Sequence, residues 1–367
     1  MSDEILKILK MVKEGKITEE EGEALIESLR NNGKDTSFDY RDFLEDKVDS
    51  VREVLKSVKN TVSNTLEDVF KGIDLKSVNV SNHLSKGKFK RYYKVSKKLG
   101  DIVKDVKIKV PEGELKIVGV SQDFAIRGTI EIRGNDDELL ERELLSLDVK
   151  IIKEENESLT IEIPKDMQTR TKVNLEIVVP SKINLDCSCL SADIEVQNIE
   201  GNINISNISG DINLSDIAGM VKTSTKSGDF TLKRLKGEVE AYTLSGDIDA
   251  NELEGKIKLK TISGDIDIDK FSSCQISVDT ISGDISGKEI LINEKSGNFN
   301  SISGDIELDF DKESGGNLIL RTLSGDISID GELKYVKKER KELEGTFNEG
   351  NAHIQIDSKS GDITVSL

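Results

Sequence analysis

The sequence predicts a mainly β protein: a β-solenoid of coils about 18 residues long with a capping β region, preceded by short α-helices. Three observations predict it. Ile-Ser-Gly-Asp-Ile stands at 208–212, 262–266, 281–285 and 302–306, and Leu-Ser-Gly-Asp-Ile at 244–248 and 323–327. Ser-Gly pairs begin at 209, 227, 245 and 263, each 18 residues after the last, with Gly201, Gly219, Gly237 and Gly255 midway. Between the glycines, apolar and polar residues alternate with period two, the mark of a strand with one buried face.

From the amino end, residues 3–32 read as two short helices. Ile5, Leu9 and Val12 form one stripe ending at Gly15; Thr18-Glu19-Glu20-Glu21 opens the second helix as a capping box. Leu25, Ile26 and Leu29 give its stripe, and Asn31-Asn32-Gly33 closes it. So short a hairpin buries too little to fold alone, so the unit 1–33 is expected to pair with another copy or pack on a neighbour.

The next unit, 34–85, holds an amphipathic helix and a linker. Leu44, Val48, Val51, Leu55, Val58, Val62, Leu66 and Val69 step by three or four, which suits a coiled-coil seam, a docked helix or a membrane-surface helix. Eight acidic against six basic residues in 39–71 favour self-association or docking over the membrane.

Residues 86–100 read as a basic linker. Seven Lys or Arg and no acid in 86–98 surround three aromatics. Lys86, Lys88, Phe89, Lys90, Arg91, Tyr92, Tyr93 and Lys94 are therefore candidate contacts for acidic lipid, cell-wall polyanion or nucleic acid. The plainer reading is a solvated segment drawn to the chain's own acidic solenoid.

Residues 101–182 alternate as strands without the 18-residue period and are expected to lead into and cover the first coil, with a short helix around Asp137–Ser146. Residues 183–367 carry the repeats. Ile203, Val221, Val239, Ile257 and Ile276 align in one column, and Ile212, Phe230, Ile248, Ile266 and Ile285 in another. Ile199, Ile217, Leu235, Leu253 and Phe271 mark a corner. One coil cannot bury its own apolar face, whereas a stack makes a continuous column. The turn glycines are Gly210, Gly228, Gly246, Gly264, Gly283, Gly304, Gly325 and Gly361. Ser-Gly spacing then lengthens to 19, 21, 21 and 36 residues, the longest interval holding Lys334–Arg340, read as a charged loop inserted into the last coils.

Charge narrows the partners. The net charge is −18, split as +2 over residues 1–100 and −20 over the rest, so the repeats should repel nucleic acid and anionic lipid. A charged fraction of 33% and the lack of a long apolar run predict a soluble protein. An acidic start without an apolar run reads as no secretory signal. The expected location is cytoplasmic, peripheral to the membrane at most, with the cell surface left open.

Chemistry-bearing constellations are few. Asp211, Asp229, Asp247, Asp265 and Asp284 stack into a ladder that calcium could bridge, although solvated turn aspartates are the favoured reading. Cys187 falls in a core column and Cys189 where Asn207 and Thr225 stand. With Cys274 they make an odd number of thiols, as in a reduced compartment, and no metal set is expected. His83 and His353 fit no triad, so no catalytic residue and no cofactor is expected.

These columns, the lead-in "VNLEIVVPSKINLDCSCLSADIEV" and the closing "LEGTFNEGNAHIQIDSKSGDITVSL" resemble the bacterial adhesin-like, or toast-rack, β-strand repeat family. The front end "ILKMVKEGKITEEEGEALIESL" looks like the short helical-hairpin module that often precedes such repeats. The layout is similar to LiaX-like envelope-stress proteins. The resemblance implies a non-enzymatic sensing or scaffolding role in the response to membrane-active antimicrobial peptides, and a protein partner: self-association or an envelope-stress component. The alternative from the residues is a carbohydrate-active parallel β-helix enzyme acting on an envelope polysaccharide, which needs paired carboxylates.

Overall fold

The computed structural model describes residues 89–339 and 341–367, except 100–102, 122–123, 145–151, 156, 165–166 and 168–169. The expected helices over 1–33 and 39–71, and with them Lys86 and Lys88, lie outside the described residues.

The regular coils form because every second side chain is apolar and the same apolar place recurs one coil later. Strands β1 (Phe89–Lys98), β2 (Asp105–Val120) and β3 (Ala125–Gly134) lead in. Helix α1 (Asp137–Leu144) and β4 (Ile152–Glu155), β5 (Ser158–Glu162) and β6 (Thr171–Pro180) follow. The solenoid proper starts with β7 (Asn184–Glu200) and β8 (Ile203–Ser206). It continues through β9 (Ile212–Ser224), β10 (Phe230–Tyr242), β11 (Ile248–Lys260) and β12 (Ile266–Asp279).

Strands β9 to β12 pair in parallel with Ile212, Phe230, Ile248 and Ile266 in one register. Each bends at one residue in the left-handed region: Asp216, Arg234, Glu252 and Lys270 have φ of 57°, 54°, 56° and 58°. The bend swings the next residue inward, so Ile217, Leu235, Leu253 and Phe271 are buried. A non-glycine there costs about 1–2 kcal/mol, which the roughly 1.5–3 kcal/mol from burying the neighbouring side chain offsets.

The turn motif is explained rung by rung. The glycine must lie against the coil below: a Cβ on Gly264 would stand 2.1 Å from the Gly246 carbonyl oxygen, and φ is 155°. The aspartate accepts a backbone amide from the coil above. The Asp229 amide donates to Asp211 Oδ1 at 3.0 Å, and the Asp265 amide to Asp247 Oδ1 at 2.8 Å. A buried hydroxyl closes the rung: Thr261 Oγ1 donates to the Gly246 carbonyl at 3.1 Å, and Thr280 repeats it on Gly264.

Both ends depart from chain order. At the amino end, β2 lies between β7 on one side and β5 and β6 on the other, all parallel. Antiparallel strands then close it, β4 on β5, β3 on β6 and β1 on β3. Helix α1 opens with Asp136 accepting the Leu139 amide and buries Leu140. The basic stretch read as a linker is thus strand β1 for residues 89–98, an edge of the sheet. Arg91, Tyr93, Val95 and Lys97 are less exposed than the residues between them, an alternation its many cations hide.

At the other end come β13 (Ile285–Leu291), β14 (Ser296–Ser303), β15 (Ile306–Phe310), β16 (Gly316–Ser324) and β17 (Ile327–Asp330). Strands β18 (Lys334–Lys338), β19 (Glu342–Phe347), β20 (Ala352–Ser360) and β21 (Ile363–Ser366) complete the described chain. β20 lies between β14 and β16, and β21 between β15 and β17, all parallel. The rung at Gly361 therefore sits between those at Gly304 and Gly325, although it follows both in sequence. The segment read as a charged loop inserted in the last coils is instead β18, paired antiparallel with β19, which caps β16. The long spacing holds a cap, not an enlarged coil.

Candidate interaction surfaces

Edge strand β1 carries the sequence-predicted contacts. Phe89, Lys90, Tyr92 and Lys94 point to solvent, with Tyr92 60% exposed. Arg91 does not: its guanidinium lies 2.5 Å from Asp137 and fastens β1 to α1. Tyr93 packs against the core. Lys90 stands 3.5 Å from Glu131, whose carboxyl stays below its usual range: burial raises it, but Arg133, Lys90 and Tyr92 outweigh that. The structure thus places Lys90, Tyr92 and Lys94 on one exposed face, leaves Phe89 exposed at the strand's end, and gives Arg91 and Tyr93 structural work. A lysine-rich edge also discourages pairing between sheet edges.

Strand β18 stands at the opposite end and is basic and aromatic too. Tyr335 sits at φ 53° beside a bulge, 90% exposed, and Val336 is 50% exposed. Sequence reading took this segment for a loop and missed it as a surface.

Two flanks run along the stack. One is a groove over the corner residues, with Asp216, Arg234, Glu252 and Lys270 among its lining. Its charges neutralise one another between coils. Arg234 grips Asp216 at 2.6 and 2.8 Å, and Lys236 meets Glu254 at 2.7 Å. The Arg234 hydrogen bond holds the Asp216 carboxyl below its usual range.

The other flank follows the residue before each Ser-Gly. Ile208, Leu244, Ile262, Ile281, Ile302 and Leu323 are only partly buried, while Lys226 and Lys359 hold the same place in the remaining two rungs. The exposed Asp247, Asp265, Asp284 and Asp305 follow them three residues on. Behind lies a half-buried polar column, where Lys260 meets Asp279 at 2.7 Å and Asn300 donates to that carboxylate at 2.7 Å. Burial pushes the Tyr242 hydroxyl of this column up.

The ladder carboxylates accept amide hydrogen bonds rather than pairing for acid–base work. Among the described residues no cluster of three His, Cys, Asp or Glu is placed to hold a metal. Cys187 and Cys189 are buried free thiols with sulfurs 3.7 Å apart; that contact and burial push the Cys187 thiol up, away from reactivity. No helix among the described residues is long and apolar enough to cross a membrane.

Coils, caps and flanks together define a capped β-solenoid with two exposed flanks along the stack. The chain belongs to the Toastrack DUF4097 family, whose model matches residues 72–366. Residues 3–34 match a SHOCT-like domain. A solved structure of a proposed cell adhesion protein from Clostridium sporogenes is similar at 12% identity, covering 75% of this chain and 99% of that one, with a TM-score of 0.18. No curated protein matches.

Proposed function

We propose that the protein is a non-enzymatic scaffold of the bacterial cell-envelope stress response. The solenoid is its binding surface, and residues 1–33 assemble it or recruit it to the envelope. The observation that carries this reading is the outward place of the repeated Ile or Leu. Six of eight Ser-Gly rungs keep an aliphatic side chain there, partly exposed, where the core does not require it. A row of such residues beside carboxylates is a surface for a partner. The envelope setting is supported by the resemblance of the whole layout to envelope-stress proteins, and peripheral membrane contact by the cations of β1.

The test is the double substitution Ile262→Ser with Ile281→Ser in cells challenged with a membrane-active peptide. An altered stress-reporter response at unchanged protein level is expected. A response identical to that of the parent overturns the reading. Deleting residues 1–33 should lower the mass read by light scattering, and an unchanged mass removes their role in assembly.

A further inference from the structure

We propose that the basic tip strand β18 of one molecule docks on the Leu244–Ile302 flank of a second copy. This rests on the flank reading above and names its occupant.

The tip is built to present apolar side chains among cations. Tyr335 is held in the left-handed region by a bulge between Lys334 and Lys337, and that bulge turns it and Val336 outward. Lys334, Lys337 and Lys338 surround them, all exposed, with Lys337 3.1 Å from Glu339. Among the described residues β18 pairs only with β19, so one edge faces outward.

The flank is its complement. Leu244, Ile262, Ile281 and Ile302 occupy consecutive rungs, fixed by the bridges among Ser245, Ser263, Ser282 and Ser303. At about 4.8 Å per rung the run spans about 14 Å, close to the roughly 16 Å of a five-residue strand. Exposed aspartates Asp247, Asp265, Asp284 and Asp305 line it. Tyrosine and valine meet aliphatic side chains while lysines meet carboxylates.

Other self-contacts are disfavoured by charge. Flank on flank sets aspartates against aspartates, and tip on tip or tip on β1 sets lysines against cations. β1 is the poorer tip: Val95 is buried, Arg91 is held by Asp137, and Tyr93 packs inward. The tip and flank are different patches, so the contact is head-to-tail: it closes into a ring where the rotation between copies allows and otherwise builds open chains. It is small, hence weak, and salt weakens it further.

The experiment uses the full chain, with one partner immobilised and the other in solution at low ionic strength. The tip variant is Tyr335→Asn, Val336→Ser and Lys338→Glu, asparagine being chosen because it tolerates positive φ. The flank variant is Ile262→Ser with Ile281→Ser, and Leu244→Lys is a second flank variant should the first lose its thermal midpoint. Wild type binds itself, and tip variant binds flank variant, because each then supplies one intact surface. Tip variant on itself and flank variant on itself bind about tenfold more weakly or worse. Equal binding in all pairings, or no self-binding of the wild type, overturns the proposal. If the flank variant changes the stress response while the pairings show no self-contact, the flank reading stands and only the second copy is removed.

Discussion

The Asp247 amide donates to Asp229 Oδ1 at 2.9 Å, one coil away. The same bond recurs at Asp284 on Asp265 and at Asp305 on Asp284. Each carboxylate thus has a main-chain donor that offsets part of the repulsion of its neighbours. The glycine before it has the tighter requirement, since its carbonyl lies against the next glycine along the stack.

Gly264→Ala should therefore destabilise the stack by about 3 kcal/mol or more, because the new methyl would overlap backbone and φ is left-handed. Ser263→Ala next to it, with an exposed side chain, should fall within about 0.5 kcal/mol. Urea unfolding of both variants checks the contrast, and similar losses would sink the close-approach account.

Thr261→Val keeps shape but removes the hydroxyl that donates to Gly246. With a half-buried carbonyl losing a donor, a loss of about 1 kcal/mol is expected in the same assay. No loss would mean the buried threonine column is packing alone.

Acid should act through Asp216. Its folded pKa is depressed by Arg234, so the pair stabilises above the unfolded carboxyl value of about 3.9 and is lost as pH falls through the folded value. The difference in thermal midpoint between wild type and Arg234→Gln should be present at neutral pH and shrink below about pH 4. A gap unchanged across that range would count against the ion pair.

If β1 touches anionic lipid, Lys90→Gln with Lys94→Glu should reduce co-sedimentation with phosphatidylserine vesicles several-fold, glutamine being chosen so that no second carboxylate faces Glu131. Arg91 is left alone because its bond to Asp137 makes it part of the cap. Unaltered co-sedimentation would remove the membrane contact.

The coils were legible because their signal is periodic: Ile212, Phe230, Ile248 and Ile266 align by eye and pair in the structure. The corner column of Ile217, Leu235, Leu253 and Phe271 was legible too, but the left-handed residue before each was not. Asp216, Arg234, Glu252 and Lys270 share one unusual φ but no side-chain chemistry, so nothing in their types marks the bend. Stacking order was hidden for another reason. Parallel rungs of one design fit any neighbour, so no local feature of Ser360-Gly361 says that it lies between Ser303-Gly304 and Ser324-Gly325. The flank went unread: Ile262 and its equivalents sit inside the repeated pentapeptide, and no pattern in the sequence sets them apart as outward-facing.

The interleaving of β20 and β21 bears on how the molecule is made. A ribosome releases residues 316–330 before residues 352–366, yet the later stretch must lie beneath the earlier one. During synthesis the 296–310 coil waits with a bare upper surface, and the nascent 316–330 segment must stay lifted or dock wrongly on it first. Like a keystone, the late stretch locks an arch whose stones were already cut.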